Sequence, residues 1–229
     1  MTIINGMETK FKVATARAWM VSEQLLDRGI SDARVLAAMS RVPRERFVPP
    51  EERAAAYADR ALPIACGQTI SQPYIVAVMT EALELAGHER VLEIGAGSGY
   101  QAAVLAELTQ SVLTIERHPA LARQASDVLA ALAYENVRVV VGDGTQGAPD
   151  EAPFDRILVT AATNCVPPKL WEQLAEGGLL VIPIGDSSSQ VLRAVRKTNG
   201  QPVIREFCPC RFVPLVSNRP LTHAVRNVQ

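Results

Sequence analysis

Two short stretches of this chain carry residues that could do chemistry. Three glycines, Gly95, Gly97 and Gly99, follow an apolar run and precede a helix-like one. Without a β-carbon, their backbone can approach a ligand closely at the start of a helix. Upstream, the polar turn of residues 67–73, GQTISQP, carries the hydroxyls of Thr69 and Ser71. The glycines indicate a nucleotide-like ligand, and the hydroxyls indicate a second polar group held beside it.

The spacing of the glycines narrows the class of ligand. The pattern is G-x-G-x-G, because Gln101 and not glycine follows Tyr100. Dinucleotide-binding dehydrogenases instead carry G-x-G-x-x-G at this place. The sequence therefore disfavours a dinucleotide. The alternative, a tight strand-to-helix turn whose glycines serve packing only, stays open on this evidence alone.

Two acidic residues follow later strands of the predicted sheet. Glu116 ends the next strand, where its carboxylate could accept hydrogen bonds from both hydroxyls of a ribose. Asp143 stands between two glycines at the end of the third strand and could accept from an adenine amino group. The alternatives are a solvated carboxylate for Glu116 and a turn cap for Asp143. Carboxyl ends of parallel strands meet at one edge, so Glu93, Gly95, Glu116 and Asp143 are predicted around one crevice.

Alternating strand and helix patterns place these residues in an α/β fold. A mostly parallel sheet, covered on both faces, is expected from strands at 90–94, 112–115, 137–141, 157–160 and 179–184 and helices at 73–85, 101–108, 119–133 and 168–176. Segments 191–196 and 203–212 have no clear helix between them and predict antiparallel strands at the C-terminal edge of the sheet. A surface tail is expected after Arg219.

The N-terminal part of the chain predicts helices and no strand. Apolar spacing indicates a helix over residues 14–29, and Ser31 or Asp32 could cap a second helix that Pro43 ends. Residues 47–50 read as an extended linker. We expect one domain over residues 1–229, with a helical, substrate-side extension at 1–71 and the core with its C-terminal substrate-binding strands at 72–229.

Composition excludes several classes of partner. The 229 residues are 48% hydrophobic and 21% charged, with a net charge of -1, so no overall field favours nucleic acid or a membrane surface. No apolar run approaches the length of a membrane span, and we expect a cytoplasmic monomer. We also expect reduced thiols and no metal, because the cysteines and histidines are too sparse or scattered: Cys66, Cys165, Cys208, Cys210, His88, His118 and His223.

Three motifs resemble the cofactor-binding motifs of class I S-adenosylmethionine-dependent methyltransferases. They are VLEIGAGSGY at 91–100, LTIE at 113–116 and VGDG at 141–144. The resemblance implies a Rossmann-like methyltransferase sandwich and S-adenosyl-L-methionine as the cofactor. It implies these cofactor-binding residues: Thr69, Ile70, Ser71, Glu93, Gly95, Gly97, Gly99, Glu116, Asp143 and Gly144.

Most of the chain, from about residue 20 to 216, resembles the protein-L-isoaspartate O-methyltransferase family. The motifs are VPRERFVP at 42–49, GQTISQPYIVAVMTEAL at 67–83, APFDRI at 152–157, the glycines at 177–178, IPIG at 182–185 and RFVPL at 211–215. GQTISQP is the specific one, since generic methyltransferases of this fold lack it. Two departures are visible: Ala96 stands where this family often has threonine, and residues 216–218, VSN, replace a glycine-containing ending. The second puts the C-terminal edge of the substrate pocket in question.

The resemblance implies methyl transfer to the free α-carboxylate of an L-isoaspartyl residue in a damaged protein or peptide. The ester then cyclises spontaneously to a succinimide, whose hydrolysis returns some normal aspartate. Ser71 is the implied catalytic residue, holding one carboxylate oxygen, and Phe212, Val213 and Pro214 are implied to lie along the substrate backbone. From the residues alone, Ser71 could instead cap the helix that begins at Pro73.

The chemistry agrees with the absence of a His or Cys constellation near GQTISQP. An α-carboxylate with a pKa of ~3.3 to 3.7 is already ionised at neutral pH, so it needs no general base. Two alternatives remain at this point: methylation of another carboxylate or a small molecule, and a cofactor-binding interaction module that has lost catalysis.

Overall fold

A computed structural model describes the backbone of residues 2–217 and the side chains of residues 11–217. Asn218 and the surface tail predicted after Arg219 lie outside these residues. Within the described part of the chain, no helix combines the length and the apolar composition that crossing a membrane requires.

Nine strands are found in residues 2–217. They are β1 (Leu62–Pro63), β2 (Thr69–Ile70), β3 (Arg90–Ile94), β4 (Ser111–Glu116), β5 (Val137–Val141), β6 (Phe154–Val159), β7 (Leu174–Gly185), β8 (Gln190–Thr198) and β9 (Gln201–Cys210). The last seven form one sheet in the order β5-β4-β3-β6-β7-β8-β9. Strands β3 to β7 are mutually parallel, whereas β8 and β9 pair antiparallel at the C-terminal edge. The predicted fold class is confirmed.

Six α-helices accompany the strands in the described residues. They are α1 (Thr2–Trp19), α2 (Ala33–Arg41), α3 (Pro73–Glu81), α4 (Tyr100–Ala106), α5 (Pro119–Ala131) and α6 (Pro168–Gln173). Three of them begin at a proline, α3, α5 and α6, because the first turn needs no backbone N–H from that residue. The four predicted helices of the core are present, and each ends two to four residues earlier than expected.

Strand β3, in the interior of the sheet, is buried on both of its faces. Leu92 and Ile94 pack into one hydrophobic cluster, and Val91 packs into the other. The second of these clusters also contains Met20, from the N-terminal extension, and Val181, from β7. Burial on both faces explains why the strands read as continuous apolar runs. The division of the chain into an extension and a core within a single domain stays a prediction.

The N-terminal extension departs from the prediction in two places. Helix α1 begins at Thr2, and the stretch predicted as one helix over 14–29 is divided into α1, a π-helical turn at Met20–Leu25 and a 3-10 turn at Leu26–Arg28. Phe47 lies between two further 3-10 turns and is 3% exposed, with its ring 5.6 Å from that of Tyr100. The extended-linker prediction for 47–50 holds at Pro49 but fails at Phe47 and Pro50, because this aromatic contact folds the segment onto α4.

Candidate functional site

A pocket opens at the carboxyl ends of β3, β4 and β6. Its lining encloses about 890 Å³ of empty space, part of it open to solvent. The turn after β1 forms one wall, and the segment after β9 forms another. Strand β3 lies between β4 and β6, so the chain adds strands on one side of β3 first and then on the other. Open α/β sheets bind ligands at such a topological switch point.

Nine of the thirteen predicted site residues line this pocket. They are Thr69, Ile70, Ser71, Gly95, Gly97, Glu116, Gly144, Val213 and Pro214. The structure thus brings the GQTISQP turn, the glycine loop and the RFVPL segment to one cavity. The four that do not line it are Glu93, Gly99, Asp143 and Phe212, and each has a structural reason.

The glycine loop follows β3 and allows close approach to the pocket. Gly95 has φ of +95°, and a β-carbon there would stand 2.4 Å from the hydroxyl oxygen of Thr160. Its N–H donates to the carbonyl of Ile115, and the Gly97 N–H donates to Glu116. The glycines therefore offer an unobstructed backbone surface, while these two amides are used within the protein. Gly99 caps α4 and faces Ala125 instead of the pocket.

Glu116 ends β4 with its carboxylate at the pocket wall. One carboxylate oxygen accepts from Gly97 N at 2.9 Å, and the other accepts from His118 N at 2.9 Å. The side chain is 4% exposed, so these donors hold its orientation. An ionised carboxylate has about four acceptor positions, so each oxygen keeps capacity for a hydroxyl donor of a ligand. The two backbone hydrogen bonds thus orient the Glu116 carboxylate so that it could accept hydrogen bonds from two neighbouring hydroxyls of a ligand.

Asp143 caps a 3-10 turn beside the pocket. Its Oδ1 accepts from Thr145 N at 3.0 Å and from Thr145 Oγ1 at 2.7 Å, and Ser217 Oγ lies 3.3 Å from its Oδ2. This is the turn-cap geometry that the sequence left open as an alternative. Its neighbour Gly144 lines the pocket, with no room for a β-carbon against Ile94 at 2.3 Å. The role of Asp143 toward an adenine amino group remains a prediction.

Glu93 lies behind the pocket wall, within the sheet. It is fully buried, and neither carboxylate oxygen has a hydrogen-bond partner among the described residues. Burial, together with the negative charge of Glu116 on the neighbouring strand, raises the pKa of Glu93 to about 8. The expectation that Glu93 borders the crevice directly is not met, because its position in β3 directs the side chain between strand and helix layers.

Ser71 is held on the pocket wall with its hydroxyl available. Helix α3 begins at Pro73 after Gln72, whose position as N-cap carries no side-chain cap bond, so Ser71 does not cap this helix. The Ser71 carbonyl accepts from Arg44 Nη2 at 2.6 Å. Within the described residues, the Ser71 hydroxyl makes no hydrogen bond, which leaves it for a ligand.

The segment after β9 is fastened by two sets of bonds. Gln190 accepts from Phe212 N at 2.7 Å and donates to Phe212 O at 3.2 Å. Ala162 N donates to Val213 O, and Leu215 N donates to Ala162 O. Phe212 therefore lies with its backbone satisfied and outside the pocket, whereas Val213 and Pro214 face it. Pairing of a substrate backbone with Phe212 would have to displace the Gln190 bonds.

Sequence reasoning missed three residues that shape this site. The Thr160 hydroxyl donates to Gly95 O at 2.8 Å. Thr160 directly follows β6 at the same sheet edge as Glu116, and this position after a parallel strand could have identified it as a site residue. Gln190 and Arg44 act across long sequence separations, so their contacts have no local signal, although Arg44 stands within the VPRERFVP motif. Among the described side chains, no group of three or more His, Cys, Asp or Glu residues is arranged to hold a metal ion.

Comparisons with known proteins agree over most of the chain. The family described as "Protein-L-isoaspartate(D-aspartate) O-methyltransferase (PCMT)" matches residues 17–220. A protein-L-isoaspartate O-methyltransferase of Opitutus terrae is 56% identical over 205 residues, covering 89% of this chain and 88% of that protein. A protein of the same description from Syntrophobacter fumaroxidans is 59% identical over 201 residues, covering 88% of this chain and 94% of that protein.

Solved structures of the same description share the fold. One, described as a protein-L-isoaspartate O-methyltransferase, is 31% identical with a TM-score of 0.79 and is matched over 88% of this chain and 66% of its own. Another, a beta-aspartate methyltransferase from Plasmodium falciparum in complex with S-adenosyl-L-homocysteine, is 27% identical with a TM-score of 0.76. That match covers 88% of this chain and 99% of the other.

Proposed function

Because the chain belongs to the protein-L-isoaspartate(D-aspartate) O-methyltransferase family, we propose that it is an S-adenosylmethionine-dependent repair methyltransferase. It methylates the free α-carboxylate of L-isoaspartyl residues in damaged proteins and peptides. One observation carries the proposal. The unpaired Ser71 hydroxyl faces the same pocket as the glycine loop and Glu116, so one cavity offers an acceptor-binding group beside a nucleoside-binding one.

The residues of the sheet edge fit the proposed cofactor. Glu116, oriented by two backbone donors, would accept from the two ribose hydroxyls. Gly95 and Gly97 would let the ligand lie against the backbone, and Asp143 would accept from the adenine amino group. When bound, S-adenosylmethionine would supply an electrophilic methyl group from a positively charged sulfur, and breaking of the sulfur–methyl bond would leave neutral S-adenosylhomocysteine as the product.

Ser71 would hold the acceptor carboxylate. Its hydroxyl donates to one carboxylate oxygen and leaves the other oxygen, with its full lone pairs, to form the new bond to the methyl group. The acceptor loses its negative charge as it becomes an ester. No base is needed, because the carboxylate is ionised at neutral pH. Catalysis is then mostly alignment of the reacting groups, which contributes ~7 to 11 kcal/mol in well-oriented reactions.

Val213 and Pro214 would contact the substrate backbone at the part of the pocket wall that the segment after β9 forms. Main-chain contact suits an enzyme that accepts many sequences and identifies the misplaced carboxylate alone. Phe212, outside the pocket, would act by packing behind this wall. Flexible substrate segments would enter most readily, because they need no domain to unfold.

The proposal extends to where and with what the protein acts. Its partners are isoaspartyl-containing proteins and peptides, since a net charge of -1 provides no attraction for nucleic acid. We propose a monomer in the cytoplasm. Light scattering of the purified chain would measure the monomer directly.

A matched pair of peptides tests the function. The two peptides share one sequence, and one contains L-isoaspartate where the other contains L-aspartate. We expect methyl transfer to the isoaspartyl peptide and none above background to its twin. Equal methylation of both would favour a broader carboxylate methyltransferase. Binding of S-adenosylhomocysteine without methylation of either peptide would favour the non-catalytic module.

A further inference from the structure

Arg44 is a buried cation without a countercharge. Its side chain is fully buried, and among the described residues no carboxylate lies within 4.0 Å of its guanidinium. Nε donates to Ala56 O at 2.7 Å, Nη2 donates to Ser71 O at 2.6 Å, and Nη1 has no partner. The guanidinium also lies over the ring of Tyr100, 4.7 Å from its centroid.

The neighbouring charges do not neutralise Arg44. Glu45, the next residue, accepts from Arg17 and from Tyr57 Oη, at 3.3 Å and 2.5 Å respectively, so its charge is already shared. Burial lowers the pKa of Arg44, yet a guanidinium stays protonated in proteins. Two carbonyl dipoles and one aromatic face compensate only part of a full charge. A net positive potential therefore remains in this buried region.

That potential lies directly behind the acceptor end of the pocket. Arg44 contacts two residues of the lining, Ser71 through its carbonyl and Tyr100 through its ring. It does not line the pocket itself, so it cannot contact a bound peptide. An unpaired buried charge is costly, and a site that receives an anion gives that charge a compensating partner.

We propose that Arg44 is a positioning residue for the acceptor: it fixes the Ser71 carbonyl and supplies the positive potential that selects an anionic carboxylate in the pocket. This inference rests on the proposed function. The attraction acts on the carboxylate and persists in the transition state, where the attacking oxygen still carries most of its negative charge. It therefore stabilises the bound substrate and the transition state alike, so its loss raises KM and leaves kcat nearly unchanged.

The experiment compares Arg44→Met, Arg44→Lys and the control Arg28→Met in the full chain. Arg28 also stacks on a tyrosine, Tyr74, but pairs with Asp59 at the surface, so its loss removes the same charge from a screened position. The readouts are kcat and KM for an isoaspartyl peptide, the affinity for S-adenosylhomocysteine, and the inhibition constant of the neutral isoasparaginyl peptide. Thermal unfolding shows that each variant is folded.

For Arg44→Met we expect KM to rise at least about tenfold, from the loss of an attraction through a poorly screened interior. We expect kcat, cofactor-product affinity and inhibition by the neutral peptide each to change less than about threefold. Arg44→Lys should restore most of the KM, and Arg28→Met should match wild type. If Arg44→Met does not fold, Arg44→Gln takes its place with the same expectations.

Equal defects in the Lys and Met variants, or equal weakening of the charged and neutral peptides, would overturn the electrostatic role. An unchanged KM in Arg44→Met would do so as well. A wild-type chain that does not methylate the isoaspartyl peptide would overturn the proposed function and this inference together. Wild-type activity with unmoved KM in the variants would overturn this inference alone.

Discussion

The two ends of the pocket are built in different ways. At the sheet edge, Gly95, Gly97 and Glu116 are bonded to one another or to neighbouring strands, so the surface is preset by the parallel sheet. At the other end, Ser71 lies on a short turn whose carbonyl is held by Arg44 and whose hydroxyl is unpaired. The rigid end suits a cofactor common to many enzymes, and the turn suits a particular acceptor. Variants that impair cofactor binding without impairing methyl transfer to the same degree, or the reverse, would support two separate ends of the pocket. Variants that lose both activities equally would contradict this separation.

The largest effect is expected from Gly95→Ala at the sheet end. A β-carbon would meet Thr160 Oγ1 at 2.4 Å in a left-handed backbone conformation. The loop should shift to relieve this strain, which costs about 1 to 3 kcal/mol before the clash is added, and binding would have to restore the original conformation. We therefore expect affinity for S-adenosylhomocysteine, measured by calorimetry, to fall about 100-fold. Gly200→Ala is the control, because Gly200 has φ of +72° with nothing within 4 Å. Equal affinities in the two variants would contradict the close-approach role.

A smaller effect at the same end is expected from Glu116→Gln. The change removes the charge and one of the acceptor oxygens that face the pocket, so affinity for S-adenosylhomocysteine should fall about 10- to 100-fold. Glu172→Gln, at an exposed position paired with Lys169, serves as the control. Wild-type affinity in Glu116→Gln would remove Glu116 from the cofactor site.

Asp143→Ala tests whether a turn cap also binds the cofactor. Asp186 is a matched control, because it caps its own turn by accepting from Ser188 N and Ser188 Oγ. Both variants should lose some stability, by about 1 kcal/mol for a lost cap of this type. Only Asp143→Ala should weaken S-adenosylhomocysteine binding, by about tenfold. If its affinity is unchanged, the adenine assignment is wrong and Asp143 is a structural cap.

The smallest effect concerns Glu93, behind the sheet end. Its pKa is about 8 in the folded chain against a usual 4.5. The folded state therefore binds the proton more tightly, so this contribution to stability is fully present below pH 4.5 and is lost as the pH rises through about 8. Glu93→Gln should remove that dependence and unfold at a higher temperature than wild type at pH 8, with little difference at pH 5. Thermal unfolding of the two chains without ligand, at a series of pH values, measures this difference in unfolding temperature. Unfolding temperatures that change with pH in the same way in both chains would contradict the raised pKa of Glu93.

The sheet end was the more predictable of the two. Continuous apolar runs identified β3 to β7, and the carboxyl-end rule brought Gly95 and Glu116 to one edge. The rule failed for Glu93, because a residue inside a strand points along the sheet normal and not past the strand end. The rule also could not distinguish a turn-capping role of Asp143 from a cofactor-binding role, because the same Gly-Asp-Gly sequence is compatible with both.

The acceptor end was less predictable because its geometry comes from distant contacts. Arg44 reaches Ser71 across 27 positions in the sequence, and Gln190 reaches Phe212 across 22. Neither contact has a periodic signal. The linker prediction for residues 47–50 failed in part for a related reason, because packing of Phe47 on Tyr100 overrides the local proline pattern. The role of Ser71 was predicted from the resemblance of the GQTISQP turn to the family motif, and not from hydrophobic periodicity.

The most direct test of the account is Ser71→Ala, assayed for both ends of the pocket in one preparation. We predict S-adenosylhomocysteine affinity within about twofold of wild type and methyl transfer to an isoaspartyl peptide reduced about 100-fold, since a mispositioned acceptor loses much of the alignment term. Ser31→Ala, at a position outside the pocket lining, should behave as wild type. Wild-type turnover in Ser71→Ala, or a loss of cofactor-product affinity equal to the loss of activity, would contradict the separation of the two ends.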